Sequence, residues 1–164
     1  MKLAVWYDSA TGNTEYLARQ LAEALPGASC APAERGEDGE LICLGFWTDK
    51  GTCSDRLKAQ LPRLAGKRVF LFGTAGFGGS EEYFSAIARR VAAELPEDCR
   101  VEGWYLCPGR MGEGVRRRYE AMARDPATRE QGERMLENFR AAQSHPDEAD
   151  ARALIQRVRE LLGE

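Results

Sequence analysis

Apolar residues recur along this chain in two rhythms. Near-continuous runs predict strands at 2–7, 28–31, 41–46, 68–74 and 101–107, and helical spacing fills the intervals 13–25, 53–64 and 80–95. Pro26-Gly27, Gly66 and Pro96 punctuate the helix ends. Strands without a polar face must be covered on both sides, and strand–helix alternation with short connections gives parallel neighbours. The pattern therefore predicts an α/β fold: a doubly wound, five-stranded parallel sheet in the order 2-1-3-4-5. In such a sheet the ligand crevice opens at the carboxyl ends of strands 1 and 3.

Beyond Cys107 the pattern changes. Pro108 to Gly112 read as a loop, followed by amphipathic helices carried by Val115, Tyr119, Met122 and by Met135, Leu136, Phe139, with a break at Asp125-Pro126. Pro146-Asp147 opens a closing helix, about 147–163, whose inner face is Ala151, Leu154, Ile155, Val158, Leu161 and Leu162. The whole chain, 1–164, reads as one domain. The stretch 109–143 is an added helical insert, and its role as lid, docking surface or packing stays open at this stage.

Composition narrows the classes without choosing among them. A chain of 164 residues, 43% hydrophobic and 30% charged, can bury a full core as a soluble domain. No signal-like start and no apolar run of membrane-spanning length occurs, so a cytoplasmic, membrane-free protein, and a monomer, is expected. The five cysteines are widely spaced and the single histidine, His145, lies far from them, which argues against zinc and iron–sulfur sites. Cys43 and Cys107 read as buried hydrophobes and Cys53 as partly exposed; His145 reads as a surface residue. Net charge is -3. The excess acid falls within residues 1–107, with Asp8, Glu15, Asp49, Asp55, Glu81 and Glu82 near the expected crevice, so nucleic acid is not an expected partner. Arg116-Arg117-Arg118, flanked by Glu113 and Glu120, reads as a solvated helix face.

The chemistry concentrates in Ser9-Ala10-Thr11-Gly12-Asn13-Thr14, between the first strand and the first helix. The first N–H groups of a helix lack intrahelical acceptors and carry the positive end of its dipole, so they can hold an anion. Three hydroxyls add donors, and Gly12 permits a tight backbone. No Lys or Arg lies between Lys2 and Arg19, which points to neutral donors around a single phosphate rather than to a triphosphate loop with its lysine. The competing reading is a helix capped by Thr11 or Asn13.

This hexapeptide resembles the FMN phosphate loop of flavodoxins, and two later segments resemble the family's flavin-ring loops. The first is Leu41 to Thr52, with Phe46, Trp47, Thr48, Lys50 and Gly51; the second is Val69 to Tyr83, with Thr74, Ala75, Gly76, Phe77, Gly78 and Tyr83. The resemblance covers residues 1 to 107 and implies a flavodoxin-like fold with FMN as cofactor. It implies Trp47 or Phe46 on one ring face and Phe77 or Tyr83 on the other. The chain departs from the family at Thr74-Ala75-Gly76-Phe77 and Asp49-Lys50-Gly51, departures that bear on the reduction potentials. The wording of the ring loops resembles a flavodoxin-like subgroup of anaerobic gut bacteria, some of whose members accompany flavin-dependent bilirubin reductases.

Three functions compete. An electron carrier would shuttle between a reductase and a flavin- or iron–sulfur-containing acceptor. An FMN-dependent NAD(P)H:quinone reductase would turn over a small acceptor, and a flavin-free module would only bind partners. No second nucleotide site and no evident acid–base residue favours the carrier, with acidic groups around the ring steering a basic partner.

Overall fold

Five apolar segments form one parallel sheet: β1 Leu3–Tyr7, β2 Ser29–Pro32, β3 Leu41–Trp47, β4 Arg68–Ala75 and β5 Arg100–Pro108, ordered β2-β1-β3-β4-β5. The computed structural model describes residues 1–76 and 78–164. Helices α1 Asn13–Ala24, α2 Asp55–Lys58, α3 Glu81–Glu94, α4 Glu113–Arg124, α5 Arg129–Ala142 and α6 Glu148–Leu161 complete it. The α/β doubly wound order expected from the alternation is the order observed.

The pleat divides each central strand between two cores. Leu3, Val5 and Tyr7 of β1 join Cys43 and Phe72 beneath α1 and α6, through Leu17, Leu21, Leu154 and Val158. Ala4 and Trp6 join Ile42, Leu44 and Phe46 beneath α2 and α3, through Leu57, Ile87 and Val91. Each fully buried aliphatic side chain contributes about 1.5–3 kcal/mol, so this double covering carries most of the stability. Trp6 is core and donates its indole N–H to the Glu37 carbonyl at 2.7 Å. Trp104 is half-buried, packed against the α3-side core.

The helix expected over 53–64 is not continuous. Ser54 caps α2, which lasts four residues, and a 3-10 turn follows over Leu61–Leu64. Pro62 explains the break, because it has no N–H to donate back into an α-helix and its ring collides with the preceding turn. Leu57, Leu61 and Leu64 are still buried, so the apolar spacing served packing without sustaining a helix. Cys53 is 2% exposed, not partly open, and burial pushes its thiol up; burial raises Cys43 to about 12.

The two ends of the segment 111–144 are held together where the Arg110 N–H donates to the His145 carbonyl at 2.9 Å. Between these ends α4 packs chiefly on α5. A Cβ at Gly132 would lie 2.4 Å from the Ala123 nitrogen, so the two helices cross with backbone nearly touching backbone. His145 is not a free surface residue, since its Nδ1 lies 2.7 Å from the Asp150 carboxylate. Asp147 and Asp150 form the capping box of α6. The Asp150 backbone N–H holds the Asp147 carboxyl below the usual carboxylate range. No helix among the described residues is long and apolar enough to cross a membrane.

Candidate functional site

The loops leaving β1, β3, β4 and β5 converge at the carboxyl ends of the strands. The first helix is not capped by Thr11 or Asn13. Gly12 occupies the cap position at φ 92°, a left-handed conformation that suits glycine, and no side chain covers the first turn. The side chains around it are already placed. Thr14, fully buried, donates its hydroxyl to the Phe46 carbonyl at 3.1 Å, tying α1 to the end of β3. Asn13 donates its amide N–H to the Arg110 carbonyl at 2.9 Å, and the Ser9 hydroxyl accepts from the Gly12 N–H at 3.1 Å. Thr11 is exposed.

The strand β3 runs one residue further than expected and ends at Trp47. Thr48 then donates both its N–H and its hydroxyl to the Thr74 carbonyl, at 3.0 and 2.9 Å, locking the two ring loops together. Asp49 and Thr52 exchange backbone hydrogen bonds of 2.7 and 3.2 Å across Lys50 and Gly51, whose φ values are 54° and 87°. Two positive φ values in a two-residue connection are the signature of a type I′ turn, and Lys50 adopts it against its side chain's preference. Beyond β4, Phe77 lies outside the described residues. Ser80 caps α3 by accepting from the Tyr83 N–H, and Tyr83 is half-buried against the α3-side core.

One pocket of about 320 Å³ gathers these loops. Ala10, Thr11 and Asn13 line it from the first loop, Trp47 and Thr48 from the second, and Thr74, Ala75 and Gly76 from the third. Phe46 does not reach it, being fully buried in the core. Ser9, Gly12, Thr14, Lys50, Gly51, Gly78 and Tyr83 are not among the residues that line it.

Asp49, placed near the crevice by the sequence, lines the pocket, and its far wall comes from residues not assigned to the site: the loop Gly109 to Gly112, and Val115, Arg118 and Tyr119 of α4. The last three share one helix face by their i, i+3, i+4 spacing, in a segment whose role as lid, docking surface or packing the sequence left open and whose Arg118 it placed on a solvated face. Arg118 therefore faces the pocket, whereas Arg116 pairs with Glu113 and Glu120 at 3.3 and 3.2 Å. The pocket is not lined by neutral donors alone, because Arg110 and Arg118 belong to it. The expected acidic surround is also reduced. Asp8 is buried and accepts from the Ser54 hydroxyl at 2.5 Å, Glu15 pairs with Arg19, and Asp55 lies 3.8 Å from Lys58.

A larger depression, about 500 Å³, opens at the opposite ends of the strands among Lys2, Asp38, Glu40, Lys67, Arg68 and Arg100. No motif residue reaches it. Lys67 pairs there with Asp38 at 2.6 Å and Arg68 with Glu102 at 2.7 Å, so ordinary surface ion pairs fill it.

A family model described as a flavodoxin domain matches residues 4–159. A flavodoxin-like domain-containing protein BilS of Clostridium symbiosum is 35% identical, with 93% of this chain and 92% of the relative covered. Its namesake in Clostridioides difficile is 30% identical over 92% of this chain and 90% of the relative. A flavoprotein crystallised in complex with FMN, from Lactobacillus acidophilus, superimposes with a TM-score of 0.54 at 12% identity, covering 65% of this chain and 93% of that one.

Proposed function

Because this chain belongs to the flavodoxin domain family, we propose that its pocket binds FMN and that the protein carries electrons between redox proteins. The observation that carries the reading is the bare first turn of α1, opening beside Thr11 into a pocket also walled by Trp47, Thr48 and Gly76. The donor set fits the cofactor. Unpaired helix N–H groups and the Thr11 hydroxyl suit a phosphomonoester, an indole suits a flat ring system, and Gly76 brings backbone close without a side chain. Bound FMN supplies reversible one- and two-electron chemistry. The chain itself binds the phosphate, orients the ring between the β3 and β4 loops, and keeps water from it with α4. The likeness to two flavodoxin-like proteins named BilS, together with the ring-loop resemblance to companions of bilirubin reductases, supports a role for this chain beside a flavin-dependent reductase.

The test is spectroscopic. Purified protein should show flavin absorbance or take up added FMN. NADH or NADPH alone should bleach it slowly, and a flavoprotein or iron–sulfur reductase should accelerate bleaching. Rapid bleaching by NADPH alone with quinone-dependent reoxidation would instead establish the quinone-reductase alternative.

Trp47→Ala adds a sharper check on orientation. A stacked indole quenches flavin emission and contributes about 0.5–1.5 kcal/mol beyond burial. The variant should fluoresce more strongly and bind FMN several-fold to roughly tenfold more weakly. Unchanged emission and affinity would remove Trp47 from the ring face.

A further inference from the structure

Helix α4 and the loop before it place unpaired arginines at the mouth of the flavin pocket, and we propose that this α4 face docks a redox protein with a carboxylate-rich face. The inference rests on the carrier reading and adds to it the sign of the partner.

Three observations carry it. The chain is acidic overall, at -3, yet α4 holds four arginines against two glutamates. Both glutamates, Glu113 and Glu120, are taken by the single residue Arg116, so among the described residues Arg117 and Arg118 form no ion pair. Arg118 stands over the Tyr119 ring at 5.5 Å, on the pocket wall, while Arg117 is exposed beside it. Arg110 adds a third charge at the same mouth, fixed there by its N–H and Nε donating to the His145 carbonyl at 2.9 and 3.4 Å.

The hairpin is also placed for docking. Its two ends meet at the Arg110–His145 bond, so the segment projects as a closed unit, and α4 packs chiefly on α5 rather than on the sheet. The close crossing at Gly132 brings the α5 backbone against that of α4 at Met122 and Ala123. Exposed, unpaired cations near a cofactor mouth accelerate and orient the approach of a negative surface. Steering of this kind fades as the screening length shortens with salt. Arg guanidinium groups further suit carboxylates because they bind them in a bidentate manner.

The experiment titrates the FMN-treated protein with two probes of opposite charge, an acidic [2Fe–2S] ferredoxin and a basic cytochrome c, by calorimetry at about 20 and about 200 mM salt. Flavin absorbance of the same sample reads cofactor loading independently, so failure to load FMN overturns the carrier reading without touching the charge test. The ferredoxin should bind tighter than the cytochrome at low salt and weaken roughly tenfold or more at high salt. Arg117→Glu with Arg118→Glu should abolish that preference, and Arg117→Glu alone, outside the pocket wall, should weaken ferredoxin several-fold. Should the double variant fail to fold by circular dichroism, Arg117→Gln with Arg118→Gln is expected to reduce ferredoxin affinity in the same direction. Preference for cytochrome c, binding of neither probe, or ferredoxin affinity indifferent to these substitutions would overturn the proposal.

Discussion

Gly45→Ala should destabilise the protein by about 1–3 kcal/mol and weaken FMN binding with it. A Cβ at position 45 would lie 2.4 Å from Cζ and 2.6 Å from Cε2 of Phe72, and 2.9 Å from Cγ2 of Thr14. Phe72 is fully buried in the sheet core and has no open side to swing into. Thr14 can yield only by moving the start of α1, and its hydroxyl is the one that holds the Phe46 carbonyl. The strain therefore passes into the first turn of the helix and the end of β3, two walls of the pocket. For a domain of this size the expected loss is about 2–12 °C in Tm. Gly12→Ala is the control. Its φ of 92° makes alanine unfavourable, but nothing lies within 4 Å of the added carbon, so the cost is local strain of about 1 kcal/mol. Thermal melts of both variants, with and without FMN, check the ranking. A melting temperature for Gly45→Ala equal to that of wild type would show that the sheet relaxes around the methyl group.

The difference between these glycines also explains what the sequence disclosed. β1, β3 and β4 were legible because strands covered on both faces have no polar rhythm to confuse them. β2 was faint because it is the edge strand, half-exposed and short. The choice between Phe46 and Trp47 could not be made while Trp47 was read as a loop residue. One more residue of strand separates the two side chains, since consecutive strand residues face opposite sides: Phe46 enters the α3-side core and Trp47 lines the pocket. The far wall was illegible for another reason. Asn13 and the Arg110 carbonyl that it binds are 97 positions apart, and no local pattern signals a contact of that span. In the same way the charges of Asp8, Glu15 and Asp55 counted as a rim until their partners Ser54, Arg19 and Lys58 were placed.

The largest effect on cofactor binding should come from Ser9→Ala combined with Thr11→Val. All three hydroxyls of the first loop seemed equivalent donors, but the structure separates them. Thr14 already donates, buried, to Phe46. Ser9 only accepts, from the Gly12 N–H, so its own proton is free to turn toward an anion, and Thr11 stands exposed on the pocket wall. Hydrogen bonds from hydroxyls to a charged phosphate are worth about 1.5–3 kcal/mol each, so losing two should weaken FMN by roughly 10² to 10⁴-fold. Riboflavin, which has the ring and lacks the phosphate, should change little. Thr14→Val is predicted to behave differently: it removes a buried hydrogen bond between α1 and the Phe46 carbonyl, at about 0.5–1.5 kcal/mol, and so lowers stability and weakens both ligands together. Fluorescence titrations of the two ligands against the two variants give four affinities. A double variant that loses riboflavin as strongly as FMN would place the phosphate elsewhere in the pocket, with Arg118 the next residue to substitute.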